Sequence, residues 1–118
     1  MTTNYSKLCS LILGIEPQIR GAFVYHHNGE LLGGGMRDGT KSYLPTDEMT
    51  KSVRNTILRW KTRESLYPFL GLGEYSITKY EKVKRITLPL DAHAILVVGM
   101  EVEVDHDIVI DKILQLIN

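Results

Sequence analysis

The order of helical and extended patterns constrains the fold of this chain more than any single motif. A helix is predicted first, followed by a two-stranded hairpin, a long helix, a three-stranded meander and a final helix, all within 118 residues. A chain of this length is long enough to bury one core without disulfides or metals. We therefore predict a single α+β domain over residues 1–118.

Terminal helices are predicted at both ends of the chain. Thr3 or Asn4 can cap the first helix, because a short polar side chain accepts a hydrogen bond from a free backbone N–H. Its apolar stripe comprises Tyr5, Leu8, Cys9, Ile12 and Ile15. Gly14 and Pro17 are expected to end this helix, and Asp105 to cap the last one. The stripe predicted for the last helix comprises Ile108, Val109, Lys112, Ile113 and Leu116.

The long middle helix is predicted to begin at Pro45 and Thr46 and to end near Ser65. Thr46 is the expected N-cap, and the two acidic residues after it favour the positive end of the helix dipole. The apolar face of this helix comprises Met49, Val53, Ile57 and Trp60. Proline and glycine residues between positions 66 and 73 predict a loop after the helix.

Five strands are predicted between turn signals. They are Ile19–His26, Glu30–Met36, Glu74–Tyr80, Val83–Leu90 and His93–Met100. Asn28-Gly29 predicts a hairpin with a type I′ turn, which needs a positive φ at both residues. The first and last strands are apolar at successive positions, so both should be covered on two faces and lie side by side in the centre.

These patterns together predict three layers. The hairpin adds one outer strand beside the first strand, and the meander adds two strands beside the last. The expected sheet is therefore antiparallel and five-stranded, in the order 2-1-5-4-3. The long helix should cover one face and the two terminal helices the other, which gives an α/β/α arrangement.

The Ile19–Met36 hairpin, the Thr46-capped helix and the Glu74–Met100 meander span nearly the whole chain. Their order resembles the Roadblock / dynein light chain family, within the profilin-like and longin-like group of folds. Shorter segments look like an archaeal branch of roadblock-like proteins. These are Tyr5-Ser6-Lys7-Leu8-Cys9, Ile19-Arg20, Gly33-Gly34-Gly35-Met36-Arg37 and Tyr80-Glu81-Lys82-Val83. The resemblance implies a homodimer or heterodimer without enzymatic activity. Such proteins often regulate small Ras-like GTPases or serve as platforms in larger complexes.

The leading hypothesis is a homodimeric roadblock-like module that binds protein partners, such as a small Ras-like GTPase. One predicted interface is the outer face of the middle helix, where Leu58 lies nearly opposite the apolar arc. The residues of this face are Lys51, Arg54, Asn55, Leu58, Thr62 and Ser65. A single exposed leucine is also common in monomers, so this face alone does not establish a dimer.

The other predicted interface is the strand Glu74–Tyr80, which is expected at the edge of the sheet. It contains no proline and a single basic residue, so it is weakly protected against pairing with another strand. Its interface residues are Glu74, Ser76 and Thr78, and replacing Ser76 with proline is expected to remove an edge donor. The sequence leaves open whether the dimer uses the helix, the strand or both.

A small-ligand sensor is the alternative, because profilin-like sheets of this layout also resemble sensory domains with a pocket between sheet and helix. The lining expected for such a pocket is Tyr25, His26, Gly34 and Arg37. This alternative predicts a retained small molecule, whereas the partner-binding module predicts none.

No catalytic, cofactor or metal site is predicted. The Gly33–Gly35 run lacks the following helix and lysine of a phosphate loop, so close approach of a neighbouring helix is the better interpretation. His26 and His27 are adjacent on a strand and should point to opposite faces, which disfavours a shared metal. Cys9 lies on an apolar stripe and is expected to be a buried, inert thiol.

Basic residues on the middle helix raise the question of nucleic-acid binding. They are Lys51, Arg54, Arg59, Lys61 and Arg63. The chain has 14 basic and 14 acidic residues and a formal net charge of +0, so it lacks an overall basic field. Trp60 falls on the apolar stripe and is expected in the core. We therefore predict a solvated basic face or a protein interface, and no nucleic-acid partner.

The remaining features predict a cytoplasmic protein without a membrane segment. Cys9 is the only cysteine, so an internal disulfide is impossible, which suits a reducing compartment. The longest apolar run, Ala94–Met100, is far too short to cross a bilayer. Met1–Lys7 is polar and lacks the pattern of a signal peptide.

Overall fold

A five-stranded antiparallel sheet forms the centre of the structure, a computed structural model that describes residues 4–118. The strands are β1 (Ile19–His26), β2 (Leu31–Met36), β3 (Ser76–Lys79), β4 (Lys84–Pro89) and β5 (Ala94–Met100). Their order is β2-β1-β5-β4-β3, so the predicted α+β class and sheet order are confirmed. The observed β3 is shorter than predicted and begins at Ser76 instead of Glu74.

The structure describes four α-helices within residues 4–118. They are α1 (Tyr5–Leu13), α2 (Thr46–Arg63), α3 (Tyr67–Leu70) and α4 (His106–Ile117). The Asn4 side chain caps α1 by accepting a hydrogen bond from the Lys7 N–H, at 3.0 Å. The other predicted cap, Thr3, lies outside the described residues. Within residues 4–118, no helix combines the length and the apolar character needed to cross a membrane.

The start of α2 differs from the prediction, because Thr46 is its first helical residue and not its cap. Pro45 occupies the cap position with extended backbone, and its carbonyl accepts the Met49 N–H at 2.9 Å. Thr46 lies inside the first turn of the helix, and its carbonyl accepts a hydrogen bond from the Thr50 hydroxyl at 3.1 Å. Proline fits here because the cap position needs only a carbonyl acceptor, and no side chain bonds to the helix end.

The predicted loop after α2 is helical over much of its length. A 3₁₀ turn, Glu64–Leu66, follows α2 directly, and α3 begins at the next residue. Pro68 is accommodated in the first turn of α3, where a missing N–H leaves no hydrogen bond unmade. Gly71 then ends α3 with a φ of 88°, a conformation that favours glycine.

Two separate cores confirm the three-layer arrangement. One face of β5 packs with α1 and α4, through Ala94, Leu96, Val98 and Met100 together with Cys9, Ile12, Val109, Ile110 and Ile113. The opposite face packs with α2, through Ile95 and Val97 together with Tyr25, Val53 and Ile57. Successive side chains of a strand point to opposite faces, so burial at consecutive positions requires helices on both sides.

The buried face of α4 is rotated from the predicted stripe. Val109, Ile110 and Ile113 are buried, whereas Ile108 and Leu116 are 53% and 40% exposed. The predicted stripe included Lys112 together with Ile108 and Leu116. This row of side chains faces solvent, because the charged amine of Lys112 stays in water. The predicted cap is confirmed, since Asp105 accepts the Asp107 N–H at 3.1 Å.

The β1–β2 hairpin is confirmed, but its turn is not type I′. Gly29 has a φ of 93°, and no non-glycine residue in the described part of the chain has a positive φ. The His26 carbonyl accepts the Gly29 N–H, and the His26 N–H donates to the Glu30 carbonyl, both at 2.8 Å. This is a three-residue loop, in which a type I turn is followed by a left-handed glycine. It spares Asn28 the cost of a positive φ.

Candidate functional site

The outer face of α2 is the first predicted interface. Five of its predicted residues, Lys51, Arg54, Asn55, Leu58 and Thr62, lie on α2, whereas Ser65 lies in the 3₁₀ turn that follows, and all six are exposed. Leu58 is 61% exposed in the middle of this face, while Val53, Thr56, Ile57 and Trp60 are buried on the opposite side. The prediction that Trp60 belongs to the core is supported by its 5% exposure.

Hydroxyl groups on this face bond to the helix that carries them. The Thr62 hydroxyl donates to the Leu58 carbonyl, and the Ser65 hydroxyl donates to the Thr62 carbonyl, both at 2.9 Å. Lys51 Nζ donates to Glu48 Oε1 at 3.2 Å. These internal bonds reduce the number of free donors around Leu58. Contact with another surface would therefore leave fewer polar groups buried without a hydrogen-bond partner.

The second predicted interface, β3, lies at the edge of the sheet and pairs only with β4. The Tyr80 N–H donates to the Val83 carbonyl at 2.8 Å, which fixes the hydrogen-bonding phase of the hairpin. Ser76 is opposite Thr87, and Thr78 is opposite Arg85. Because hydrogen-bonded pairs alternate along an antiparallel ladder, the Ser76 N–H points toward β4.

The free edge of β3 therefore presents the N–H groups of Ile77 and Lys79. Replacing Ser76 with proline would break the ladder inside the subunit instead of removing an edge donor. That part of the prediction is wrong, because the phase of the hairpin depends on where its turn closes. The Ser76 and Thr78 side chains lie on the same face of the sheet as Arg85 and Thr87.

A strongly apolar stretch between α2 and β3 was missed by the sequence analysis. We call residues 66–72 the apolar segment. Leu66, Phe69, Leu70 and Leu72 are 50%, 83%, 79% and 80% exposed. The signal was present as a dense apolar run, but its lack of helical or alternating spacing indicated only a loop. Four exposed large apolar side chains in one short segment are characteristic of an interaction surface.

The apolar segment is held in place from beneath. A Cβ on Gly73 would lie 2.7 Å from the Trp60 ring and 3.1 Å from the Tyr67 ring, so the backbone passes directly over these side chains. Tyr67 is half-buried, in contrast to its neighbours in sequence. The segment starts at the residue after Ser65, the last residue of the first predicted interface, and ends four residues before β3. It therefore links the two predicted interfaces along the chain.

The four residues predicted to line a ligand pocket have different surroundings. Tyr25 is 9% exposed in the core beneath α2 and stacks on Phe23, with ring centroids 6.0 Å apart. His26 Nδ1 accepts the Asn28 N–H at 3.0 Å, and its ring stacks on His93 at 6.2 Å. These two residues are adjacent on β1 and take part in separate structures, a core and a turn.

Gly34 and Arg37 have structural contacts with α1. A Cβ on Gly34 would lie 2.0 Å from the Ala22 carbonyl oxygen and 2.7 Å from Cys9 Sγ. Arg37 Nε donates to the Ile19 carbonyl at 2.8 Å, and its Nη2 donates to carbonyls near the end of α1. The structure therefore does not bring the four residues together around one cavity.

Chemically reactive groups are few in the described residues. Cys9 is 1% exposed, and burial raises the pKa of its thiol to about 11, so the thiolate is rare at neutral pH. Within residues 4–118, no group of three or more histidine, cysteine or acidic residues is placed to hold a metal ion.

Comparison with known proteins identifies the fold. No protein-family model matches the sequence, and no curated protein is significantly similar to it. A Roadblock/LC7 domain from Streptomyces avermitilis is similar in structure, with a TM-score of 0.73 and 12% identity, over 98% of this chain and 92% of that chain. The gliding protein MglB from Thermus thermophilus gives a TM-score of 0.76 and 11% identity, over 100% of this chain and 89% of that chain.

Profilin II from Acanthamoeba castellanii is also similar, with a TM-score of 0.61 and 12% identity, over 96% of this chain and 93% of that chain. At such identities the likeness concerns the fold alone. The resemblance stated from the sequence is confirmed at that level, because the chain has the roadblock fold within the wider profilin-like group.

Proposed function

We propose that residues 1–118 form one homodimeric, non-enzymatic, cytoplasmic module that regulates or assembles protein partners. The observation that carries this proposal is the run of exposed surface formed by the outer face of α2, the apolar segment and the free edge of β3. A monomer would leave several large apolar side chains in water beside an open strand edge. A second copy packed on this surface would bury the apolar side chains and pair the open edge of β3.

Two features favour a two-fold arrangement. An antiparallel β3–β3 contact would join the two sheets through the N–H groups of Ile77 and Lys79. In an antiparallel crossing of two α2 helices at Leu58, Arg54 would approach Thr62 of the partner subunit. Lys51 would approach Ser65 of the partner subunit, so like charges would be kept apart.

Leu58→Glu tests the helix contact. We expect a folded monomer, because the crossing would bury two carboxylates beside each other at a cost of about 3 kcal/mol or more, which is over a hundredfold in the dissociation constant. The measurement is mass by light scattering and sedimentation over a wide dilution range. Circular dichroism establishes that the variant is folded.

Leu11→Glu is the matched control, since Leu11 is a 48% exposed leucine on α1, across the sheet from α2. It should leave the mass and the dissociation constant unchanged. If Leu58→Glu remains a dimer with the wild-type dissociation constant, α2 is not the interface.

A small Ras-like GTPase is the partner class that the roadblock resemblance implies. The proposal is supported by the fold and by the absence of a nucleophile–base arrangement among the residues singled out from the sequence. Affinity measurements against the small GTPases of the host, each loaded with GDP and with a GTP analogue, test this part. We expect binding that depends on the nucleotide. No binding and no change in nucleotide turnover would contradict GTPase regulation and leave the dimer proposal intact.

A further inference from the structure

A polar cavity lies between α2 and the β3–β4 hairpin, on the face of the sheet that α2 covers. Its volume is about 30 Å³. Three arginines, Arg59, Arg63 and Arg85, line it together with five residues that carry hydroxyl groups. Among the residues that the structure describes, no acidic side chain lines the cavity, so the charged groups around it are all positive.

These arginines also lack acidic partners elsewhere. The ion pairs of lysine and arginine within residues 4–118 are Arg20–Glu101 and Lys51–Glu48, and neither involves the three arginines. Like charges gathered without a carboxylate repel each other, so such a cluster is favourable only where an anion completes it.

Arg85 makes the strongest case for a missing anion. Its Nη1 donates to the Ser52 hydroxyl, whereas its Nη2 is buried and has no hydrogen-bond partner. Burial lowers the pKa of Arg85 from its usual value, and Arg59 adds to that shift. The Tyr80 and Tyr25 phenols oppose it, Tyr80 partly through a side-chain hydrogen bond with Arg85. A buried guanidinium N–H without an acceptor is costly, because it has lost its water and gained no bond.

The neighbouring arginines are held by contacts that leave donors free. Arg59 Nη2 donates to the Thr56 hydroxyl at 3.2 Å, and the Arg63 guanidinium lies 4.7 Å from the centre of the Trp60 ring. A guanidinium has five N–H donors, and these contacts use few of them. The remaining donors and the hydroxyl groups can converge on a compact acceptor.

The polar cavity adjoins a larger cleft of about 670 Å³ that shares Arg59, Tyr80 and Arg85 with it. Lys51 and Lys82 add positive charge to this cleft, and Glu48 and Glu81 add negative charge. The volume lies within the range of small-molecule sites. A ligand could therefore place an anionic end in the cavity and its remaining body in the cleft.

We infer that this cavity binds a phosphoryl group, either as free phosphate or as the end of a phosphorylated small molecule. A phosphoryl dianion offers three or more acceptor oxygens, whereas a carboxylate offers two oxygens and one charge. Three guanidinium groups and several hydroxyls match the phosphoryl group better in charge and in number of acceptors. The cavity shares Ser76 and Thr78 with the predicted β3 interface, and the cleft shares Lys51 and Asn55 with the predicted α2 interface, so anion binding is measured together with the oligomeric state.

The test compares sodium phosphate with sodium chloride at equal ionic strength, by calorimetric titration and by thermal unfolding followed by circular dichroism. We expect phosphate to bind and to raise the unfolding temperature above that in chloride. Arg59→Gln should weaken phosphate binding about tenfold or more, since it removes charge-assisted hydrogen bonds. Lys61→Gln is the matched control, because Lys61 is exposed on the same helix, outside the cavity, the cleft and the predicted dimer interface.

A second experiment uses adenosine monophosphate and adenosine to distinguish free phosphate from a phosphorylated small molecule as the source of the phosphoryl group. Monophosphate binding tighter than phosphate identifies a phosphorylated compound, while equal or weaker binding identifies free phosphate. Three results would each overturn the inference: phosphate acting no differently from chloride, Lys61→Gln weakening binding as much as Arg59→Gln, or adenosine binding as tightly as the monophosphate. The mass of every sample is measured alongside, so that loss of the dimer is not mistaken for loss of the anion site.

Discussion

Gly34 fixes the distance between α1 and the sheet at the scale of a single residue. Its φ is 88°, which disfavours any residue with a Cβ, and the Cys9 sulfur lies against the position a Cβ would take. The adjacent Gly35 has no atom within 4 Å of a built Cβ and a φ outside the left-handed region. Close packing therefore requires glycine at position 34, whereas position 35 has room for a side chain.

Gly34→Ala is expected to lower the free energy of unfolding by about 3 kcal/mol. The reason is that backbone strain and overlap with neighbouring atoms each cost on the order of 1–3 kcal/mol. Urea denaturation followed by circular dichroism measures the change. Gly35→Ala serves as the control and should shift stability by less than about 1 kcal/mol. Equal losses in the two variants would mean that close packing of α1 is not the role of Gly34.

At the scale of elements, one hydrogen bond ties the start of α1 to the loop between β4 and β5. The Tyr5 hydroxyl donates to Asp91 Oδ2 at 2.7 Å, and the His93 N–H donates to Asp91 Oδ1 at 2.7 Å. Burial alone would raise the pKa of Asp91, but hydrogen bonds from Tyr5 and from the His93 and Ala94 backbone outweigh it and lower the pKa. The ionised carboxylate is therefore the form that holds the two elements together.

This contact makes a defined contribution to the pH dependence of stability. A carboxyl group whose pKa is lowered in the folded state stabilises the fold at pH values above its pKa in the unfolded chain, which is about 4. That stabilisation is lost as the pH falls through the pKa of the folded state. Tyr5→Phe should cost at most about 1 kcal/mol near neutral pH, because Asp91 is exposed. The difference from wild type should shrink as pH falls below about 4. Urea titrations at several pH values measure it, and a difference independent of pH would contradict this role.

Elements were predicted most accurately where a local pattern alone decides the structure. The Asp105 cap and β1 follow from single residues and from an unbroken apolar run. The turn at Asn28-Gly29 and the rotation of α4 were predicted incorrectly, because they depend on how one element meets its neighbours. Propensity specifies that a hairpin or helix forms, and tertiary packing selects its exact geometry.

The candidate surfaces, too, could be predicted from the sequence only where a local pattern decides them. The exposure of Leu58 follows from a helical wheel, since the opposite arc must face the sheet. The apolar segment gave no periodic signal, so only the structure reveals that its side chains point outward. Arg59 and Arg85 belong to a helix and a strand far apart in sequence, and no local pattern indicates that they meet.

For the molecule as a whole, exposed apolar surface is concentrated after α2. Phe69, Leu70 and Leu72 are the three most exposed large apolar side chains on the described surface, and Leu66 in the same segment is 50% exposed. Exposed large apolar side chains elsewhere on the described surface, such as Leu58 and Tyr43, are 61% exposed or less. This asymmetry gives the molecule one side suited to association.

The double variant Phe69→Ser/Leu72→Ser tests that asymmetry. Stability of the subunit should change by less than about 1 kcal/mol, because both side chains contact mostly water. Self-association should weaken about tenfold or more, since burial of two large apolar side chains is lost. Sedimentation across a dilution series measures the dissociation constant. Leu31→Ser, at a 51% exposed position on β2 at the other edge of the sheet, is the control and should leave association unchanged.

The position of the only tryptophan has a practical consequence. The Trp60 indole N–H donates to the Thr87 hydroxyl at 2.9 Å, and Arg63 covers its ring. The indole thus lies on α2, contacts β4 through Thr87, and lies against Gly73, the residue that follows the apolar segment. Its emission spectrum and its quenching by iodide should respond to undocking of α2, to occupation of the arginine cavity and to rearrangement of residues 66–72. The protein carries an intrinsic optical reporter at the junction of its candidate surfaces, and following their behaviour requires no attached dye.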